Sequence, residues 1–200
     1  MAITDGMEKI AVIGAGAWGT ALAQMLAAAG RKTQIWARER EVVEAINKEH
    51  ANPLFLADVP LHEDLHATDD LAAAAQADLI LLVTPAQFLR PVTADLAKHA
   101  KAGTPVVICA KGIEKDSFAL MSEVLAETLP EAALAVLSGP TFAIEVARGL
   151  PTAVTLACAD KALGGRIVEA VGQPHFRPYW TDDVIGAQIG AVCVPNMQEA

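Results

Sequence analysis

Cysteine is scarce in this sequence, and the few cysteines are not clustered. Cys109, Cys158 and Cys193 are odd in number and form neither a C-x-x-C pair nor a group with histidine, so they give no basis for a zinc or redox site. Two of the three stand in apolar runs, which favours buried structural thiols. His62 and His66 are four residues apart, but nearby prolines argue against the helix that would bring both to one metal. We therefore predict no metal site and a reduced compartment.

A basic excess and a long apolar run are also missing. The formal net charge is -9, whereas a surface that follows the phosphates of nucleic acid or anionic lipid needs an excess of lysine and arginine. No stretch approaches the roughly 20 apolar residues that span a bilayer. Residues 1–7 contain no apolar segment of signal-peptide length. We expect a soluble, cytoplasmic protein with no nucleic-acid partner and no membrane insertion, in which local dipoles and a few cations hold any anionic ligand.

A glycine-rich turn follows the first apolar run. Lys9–Ile13 is a predicted strand, and Gly-Ala-Gly-Ala-Trp-Gly at residues 14–19 leads into a predicted helix over residues 17–29. In this pattern Gly14 makes the turn, Gly16 lets the backbone approach a pyrophosphate, and Gly19 lets the helix pack closely on the strand. The free N–H groups at the helix start face the anion. Such a pattern also occurs in structural turns, so its interpretation depends on the rest of the chain.

Strand and helix patterns alternate after this turn. Strands are predicted at residues 33–36, 65–68, 79–83, 105–110, 134–137, 151–157 and 176–180, and helices at residues 41–50, 69–77, 86–100, 117–129 and 161–171. The alternation predicts an α/β fold with a Rossmann-like, doubly wound, mostly parallel sheet. We assign residues 1–182 to a dinucleotide-binding domain. Thr181-Asp182-Asp183 is a predicted N-cap for a helix that begins the segment 183–200.

Ligands of such sheets bind beyond the carboxyl ends of the strands, so the residues that directly follow a strand are the candidates. Arg38 stands about where a dinucleotide fold meets the adenosine ribose, and an arginine there would bind a 2′-phosphate. This position favours NADP(H), with NAD(H) possible. The alternative is that Arg38, Glu39 and Arg40 form the solvated first turn of the next helix.

Two other strand ends carry polar groups. Lys111 would hydrogen-bond a substrate oxygen beside a nicotinamide, or it is a solvated lysine at a turn. Gly139, Pro140 and Thr141 would offer backbone donors and a hydroxyl to a small polar substrate, or they cap the segment 142–147. From the residues alone we predict an NADP-dependent dehydrogenase.

Four stretches carry a more specific resemblance. Residues 14–22, Ala-Lys-Gly-Ile-Glu at 110–114, Leu-Ser-Gly-Pro-Thr-Phe-Ala and its continuation over 137–153, and Asp-Val-Ile-Gly at 183–186 resemble bacterial NAD(P)-dependent glycerol-3-phosphate dehydrogenase. The third stretch is long and specific, and the likeness covers about residues 9–190. The resemblance implies reversible conversion of sn-glycerol 3-phosphate and dihydroxyacetone phosphate for phospholipid synthesis. It also implies a homodimer in the full-length form.

The resemblance implies roles for particular residues as well. Besides Gly14, Gly16 and Gly19, it implies cofactor contacts from Ala17, Trp18, Arg38, Lys111 and Ala143, and substrate contacts from Lys111, Gly139 and Thr141. These positions coincide with the strand ends selected above. That agreement supports the geometry of the site, not the identity of the substrate.

The sequence departs from the family pattern after Gly190. The family continues with a Gly-Ala-x-Lys-Asn helix whose lysine is the proton donor and acceptor at the carbinol oxygen. Residues 191–200 here are Ala-Val-Cys-Val-Pro-Asn-Met-Gln-Glu-Ala, which contain no lysine and place a helix-breaking proline at position 195. We assign no catalytic residue, take the family's C-terminal helical domain as missing, and expect weak NADP(H) binding with little or no turnover. One alternative is a non-catalytic NADP(H)-binding module. The other is another 3-hydroxyacid-type dehydrogenase, and the pattern of residues 138–153 argues against this second alternative.

Overall fold

The alternating pattern produces a single mixed sheet flanked by helices. The structure is a computed structural model that describes residues 6–193. Its strands are β1 (Lys9–Ile13), β2 (Lys32–Trp36), β3 (His66–Thr68), β4 (Leu79–Leu82), β5 (Pro105–Ile108), β6 (Ala133–Ser138), β7 (Thr152–Ala157) and β8 (Phe176–Thr181). Its helices are α1 (Ala17–Ala28), α2 (Arg40–Glu49), α3 (Leu71–Ala74), α4 (Ala86–Leu96), α5 (Met121–Thr128), α6 (Ala143–Ala147), α7 (Lys161–Val171) and α8 (Val184–Cys193).

The strand order is β3-β2-β1-β4-β5-β6-β7-β8. The chain therefore builds outward from β1 to β2 and β3 on one side, and then returns to β4, which pairs with β1 on the other side. Pairs are parallel except for β6 and β7, which are antiparallel. The predicted mostly parallel, doubly wound sheet is confirmed. The reversal of strand order opens a crevice between the carboxyl ends of β1 and β4, where such folds bind ligands.

Successive residues of the central strands pack on opposite faces of the sheet. Val12 and Leu81 belong to the apolar cluster on one face, while Ile13 and Leu82 belong to the cluster on the other. Because both faces are covered, the central strands are apolar at every position rather than at alternate ones. Because both faces of the sheet are covered, a ligand can reach the central strands only at their ends, where the candidate residues lie.

Three predicted helices are shorter in the structure. The helix expected over residues 69–77 is the single turn α3, and the one expected over residues 86–100 ends at Leu96. The helix expected from residue 117 begins at Met121, where the Leu120 amide donates to the Glu123 carboxylate over 2.7 Å. Before it, Ile113 pairs with Leu120 as an antiparallel bridge. The segment after β5 is therefore a longer loop than predicted.

The predicted cap of the last helix is confirmed. The Gly186 amide donates to the Asp183 carboxylate over 2.8 Å, and α8 begins at Val184. Cys109 and Cys158 are buried, as expected of structural thiols. Residues 6–193 contain neither a helix long and apolar enough to cross a membrane nor a group of three metal-binding side chains. The prediction that Pro195 interrupts the last helix concerns a residue outside the described part of the chain.

Candidate functional site

The first turn of the site crosses the crevice between β1 and β4. Gly14 has φ +120°, and a Cβ there would lie 3.0 Å from the Thr84 nitrogen and 3.1 Å from the Val83 carbonyl carbon. Its amide donates to the Trp36 carbonyl at the end of β2 over 3.0 Å. Only glycine fits this conformation and this space without strain. Gly14 thus carries the chain over the crevice, as its place in the motif predicted.

The other two glycines differ in what surrounds them. A Cβ at Gly19 would overlap the carbonyl oxygen of Gly14, so α1 packs against the turn at a distance that only glycine permits. A Cβ at Gly16 would meet no described atom of the chain within 4 Å. Gly16 is the N-cap of α1, and its position leaves open space in front of the free N–H groups of the first helical turn. This open cradle fits a pyrophosphate at a helix N-terminus.

A buried asparagine hydrogen-bonds to the glycine turn. Asn52 is fully buried, and its Nδ2 donates to the Ala15 carbonyl over 2.9 Å and to the Thr20 hydroxyl over 2.7 Å. These bonds fix the carbonyl side of the peptide that leads into Gly16. No local sequence pattern indicates this role for Asn52, because its partners lie 37 and 32 residues away in the chain.

A cavity of about 420 Å³ extends from this turn along the sheet edge. It is bounded by the glycine turn, the ends of β2 and β4, and α4, and two exposed aromatic rings, Phe55 and Phe88, stand at its sides. The Arg38 guanidinium lies 5.9 Å from the centre of the Phe88 ring and pairs with Glu39 at 3.2 Å. Arg40 instead pairs with Asp69 at 3.4 Å. Arg38 therefore lies at the cavity together with Glu39, whose carboxylate would accept a hydrogen bond from a ribose hydroxyl.

A second cavity of about 210 Å³ lies farther along the same edge. It is lined by residues that follow β5 and β6 and by α8, namely Lys111, Ser138, Gly139, Pro140, Thr155, Gly186, Ala187 and Gly190. The Lys111 ammonium donates to the Gly139 carbonyl over 3.3 Å. Burial lowers the pKa of Lys111 below its ordinary value. The structure thus brings together Lys111 and Gly139, which sequence reasoning had selected separately.

Other predicted contact residues are buried. Trp18 and Ala143 belong to the apolar core, so neither side chain is available to a ligand in the cavity. A cofactor contact there would use the backbone, as it would at Ala17, the first residue of α1. Thr141 is also buried, and its hydroxyl has no hydrogen-bond partner among residues 6–193. An unpaired buried hydroxyl is unfavourable. Thr141 lines neither cavity, however, so its contact with a substrate stays a prediction.

A groove of about 470 Å³ lies at the opposite edge of the sheet, beside Lys9, Arg31, Lys32 and His66. It opens at the amino ends of β1 and β2. Open α/β sheets bind ligands at the carboxyl ends, where α1 also directs its N–H groups. The two cavities at the carboxyl edge are therefore the better candidates.

The glycine turn, the open helix N-terminus and the crevice at the strand reversal define a Rossmann-type dinucleotide-binding domain. Residues 9–164 match the family described as NAD-dependent glycerol-3-phosphate dehydrogenase N-terminus. The chain belongs to this family, and the resemblance drawn from its motifs is confirmed.

Individual relatives agree with this assignment. Glycerol-3-phosphate dehydrogenase [NAD(P)+] of Parvibaculum lavamentivorans is 56% identical over 188 residues, which are 94% of this chain and 56% of that protein. The protein of the same name from Paramagnetospirillum magneticum is 59% identical over 184 residues, which are 92% of this chain and 67% of that protein. A crystal structure of glycerol-3-phosphate dehydrogenase from Coxiella burnetii superposes with a TM-score of 0.86 at 37% identity, covering 92% of this chain and 57% of that one. The chain thus spans little more than half the length of most of these relatives.

Proposed function

We propose that this chain forms the cofactor-binding and part of the substrate-binding portion of an oxidoreductase. The reaction would interconvert sn-glycerol 3-phosphate and dihydroxyacetone phosphate with NADP(H) or NAD(H). The observation that carries the proposal is the open cradle at Gly16, which lies on the same sheet edge as the Lys111 and Gly139 cavity. The names of the relatives support the substrate.

The residues of the first cavity fit a dinucleotide. The N–H groups at the start of α1 would bind the pyrophosphate, and Arg38 would bind an adenosine 2′-phosphate. Glu39 would accept a hydrogen bond from the 2′-hydroxyl when the phosphate is absent. The Arg38 and Glu39 pair therefore supports both cofactors. NADP(H) is favoured because Arg38 comes before Glu39 at the strand end, and both residues line the cavity. When bound, the cofactor supplies or accepts a hydride.

Lys111 would hold the reacting end of the substrate. Its ammonium can leave the Gly139 carbonyl and donate to a substrate oxygen, where it would stabilise developing negative charge. Because the partly buried ammonium is less well solvated than in water, such a charge interaction would be stronger there. Gly139 and Thr141 would provide further polar contacts.

Proton transfer to the carbinol oxygen is the step for which the chain offers no assigned group. Residues 191–200 contain no lysine, and general acid–base assistance is typically worth about 10²–10⁴ in rate. We therefore propose that the chain binds NADP(H) and has little turnover by itself. The same feature favours the second candidate, a non-catalytic NADP(H)-binding module.

The properties of a full-length form are part of the proposal. The relatives' names support a small phosphorylated three-carbon substrate. The family resemblance implies a homodimer, and the few, unclustered cysteines support a reduced, cytoplasmic location. We also propose a boundary between residues 182 and 183, where the Asp183 cap begins α8. Light scattering of a full-length form would measure the oligomeric state.

A chimera separates the candidate functions. Residues 1–190 of this chain would be joined to the matching C-terminal part of the Parvibaculum relative, and NADPH oxidation with dihydroxyacetone phosphate would be measured for the chimera and the 200-residue chain. Turnover by the chimera alone supports the dehydrogenase. NADPH binding without turnover in the chimera supports the binding module. A normal rate from the 200-residue chain contradicts the predicted loss of proton transfer.

A further inference from the structure

Helix α4 lines the first candidate cavity and also bonds to the loop that follows Lys111, a residue that lines the second. Phe88, Pro91 and Val92 line the first cavity beside the glycine turn. On a neighbouring face, Gln87 and Arg90 hold the loop that follows Lys111. One helix thus connects the wall of the proposed cofactor cavity to the segment that carries the lysine of the second.

Gln87 forms two hydrogen bonds with the backbone of this loop. Its Nε2 donates to the Ile113 carbonyl over 2.8 Å, and its Oε1 accepts from the Lys115 amide over 3.0 Å. The Gln87 amide thus donates to one backbone group and accepts from another, as a neighbouring strand would. Together the two bonds fix the position and direction of the backbone from Ile113 to Lys115.

Arg90 grips the side chain at the centre of the same loop. Its Nε and Nη2 each donate to one oxygen of the Glu114 carboxylate over 2.8 Å, which is a bidentate pair. Ser117 Oγ donates to the same carboxylate. These bonds hold the pKa of Glu114 at about 2, with Arg90 as the first cause, so the carboxylate stays ionised at neutral pH.

The held loop begins directly after Lys111. Gly112 has φ +119°, and a Cβ there would lie 3.3 Å from the Cβ of Ala86, the first residue of α4. The chain therefore passes from Lys111 across the start of α4 to the three residues that Gln87 and Arg90 bind. A shift of α4 would move the base of the Lys111 side chain.

We propose that Gln87 and Arg90 are positioning residues, which hold Lys111 at the second cavity through the loop 113–115 and link its position to occupancy of the first. The effect of this coupling on catalysis rests on the function proposed above. The coupling of α4 to the loop and Lys111 involves only residues 86–115, so it can be measured without substrate.

The matched variants separate positioning from general stability. Arg90→Lys keeps the positive charge but cannot form the bidentate pair, and Glu114→Gln removes the carboxylate. Glu127→Gln is the control, because Arg90 also donates to Glu127 on α5 over 2.7 Å and that bond does not involve the loop. Gln87→Met tests the second grip without touching any charge.

Two measurements follow the loop and the lysine. Hydrogen exchange of the amides in residues 113–118 would accelerate about tenfold or more in Arg90→Lys, Glu114→Gln and Gln87→Met, and less than about twofold in Glu127→Gln. The pH midpoint of Lys111 acetylation, followed by mass spectrometry, would rise in the three loop variants toward that of an exposed lysine. NADPH would slow exchange in residues 113–118 of the parent chain and have a smaller effect in Arg90→Lys.

Unchanged acetylation of Lys111 in folded loop variants would overturn the proposal. If the charge variants fail to fold, Gln87→Met decides by the same two measurements, and a failure of that variant to fold also counts against a role confined to positioning. Absence of any NADPH effect on the amides of residues 14–19 would contradict the proposed function instead. The acetylation result without cofactor would then still decide whether the loop positions Lys111.

Discussion

Gly16→Ala and Gly19→Ala add the same methyl group three residues apart, and we expect opposite consequences. At Gly16 the methyl group meets no described atom within 4 Å, and the backbone at φ -67° and ψ -179° suits any residue. We therefore expect the free energy of unfolding to change by less than about 1 kcal/mol. The methyl group would instead occupy space that a pyrophosphate needs.

The size of the effect on binding follows from overpacking. One added methyl group in a close contact costs about 1–3 kcal/mol. That cost corresponds to a rise of about five- to 150-fold in the Kd for NADPH. Gly19→Ala places its methyl group on the Gly14 carbonyl oxygen, which is backbone and cannot rotate away. We expect that variant to lose about 1–3 kcal/mol of stability, or several degrees in Tm.

Urea unfolding and titration of NADPH fluorescence measure both quantities. Gly165→Ala is the matched control, because it also adds a methyl group in a position with no described neighbour within 4 Å, but on α7 and outside both cavities. Its Kd for NADPH should equal that of the parent. Parental affinity in Gly16→Ala would refute the placement of the pyrophosphate, and parental stability in Gly19→Ala would refute the packing argument.

Three further predictions concern charge and titration. Arg38→Asp should weaken NADPH binding about tenfold and leave NADH binding nearly unchanged, and an unaltered preference in competition titrations would remove Arg38 from the site. The pKa of Glu114 is lowered from 4.5 to about 2, so its stabilising effect should be complete above pH 4.5 and vanish near pH 2. Thermal melts of parent and Glu114→Gln should therefore converge as pH falls through this range, and a constant difference would contradict the ion pair. Burial raises the pKa values of Cys109 and Cys158, so in a Cys193→Ser background neither thiol should react with a disulfide reagent before urea unfolds the protein.

The sheet was largely predictable because each central strand is buried on both faces. Leu79–Leu82 is apolar at every position, and no local alternative competes with a strand there. The antiparallel pairing of β6 and β7 was not predictable in the same way, since apolar patterning gives burial and not direction.

The loop after Lys111 illustrates the limit of local patterns. Residues 117–129 have helical periodicity, yet Ser117 bonds to Glu114 and the helix begins four residues later. The decisive partner is Arg90, which lies 24 residues away and is invisible to periodicity. Long-range partners thus override local helix propensity.

The candidate site was predicted by position more than by contact. The rule of strand ends selected Arg38, Lys111 and Gly139, and the structure places all three at the carboxyl-edge cavities. The rule of strand ends did not select Asn52, and it did not predict that Thr141 is buried. Both features depend on how distant segments pack. Whether these residues contact cofactor and substrate stays a prediction.

A crystal structure of the 200-residue chain with NADPH tests the central claim most directly. We predict that the pyrophosphate lies over Gly16, at the N-terminus of α1, and that the nicotinamide extends along the sheet edge toward Lys111. Density for NADPH in the groove beside Arg31 and His66, with the Gly16 cradle empty, would contradict it.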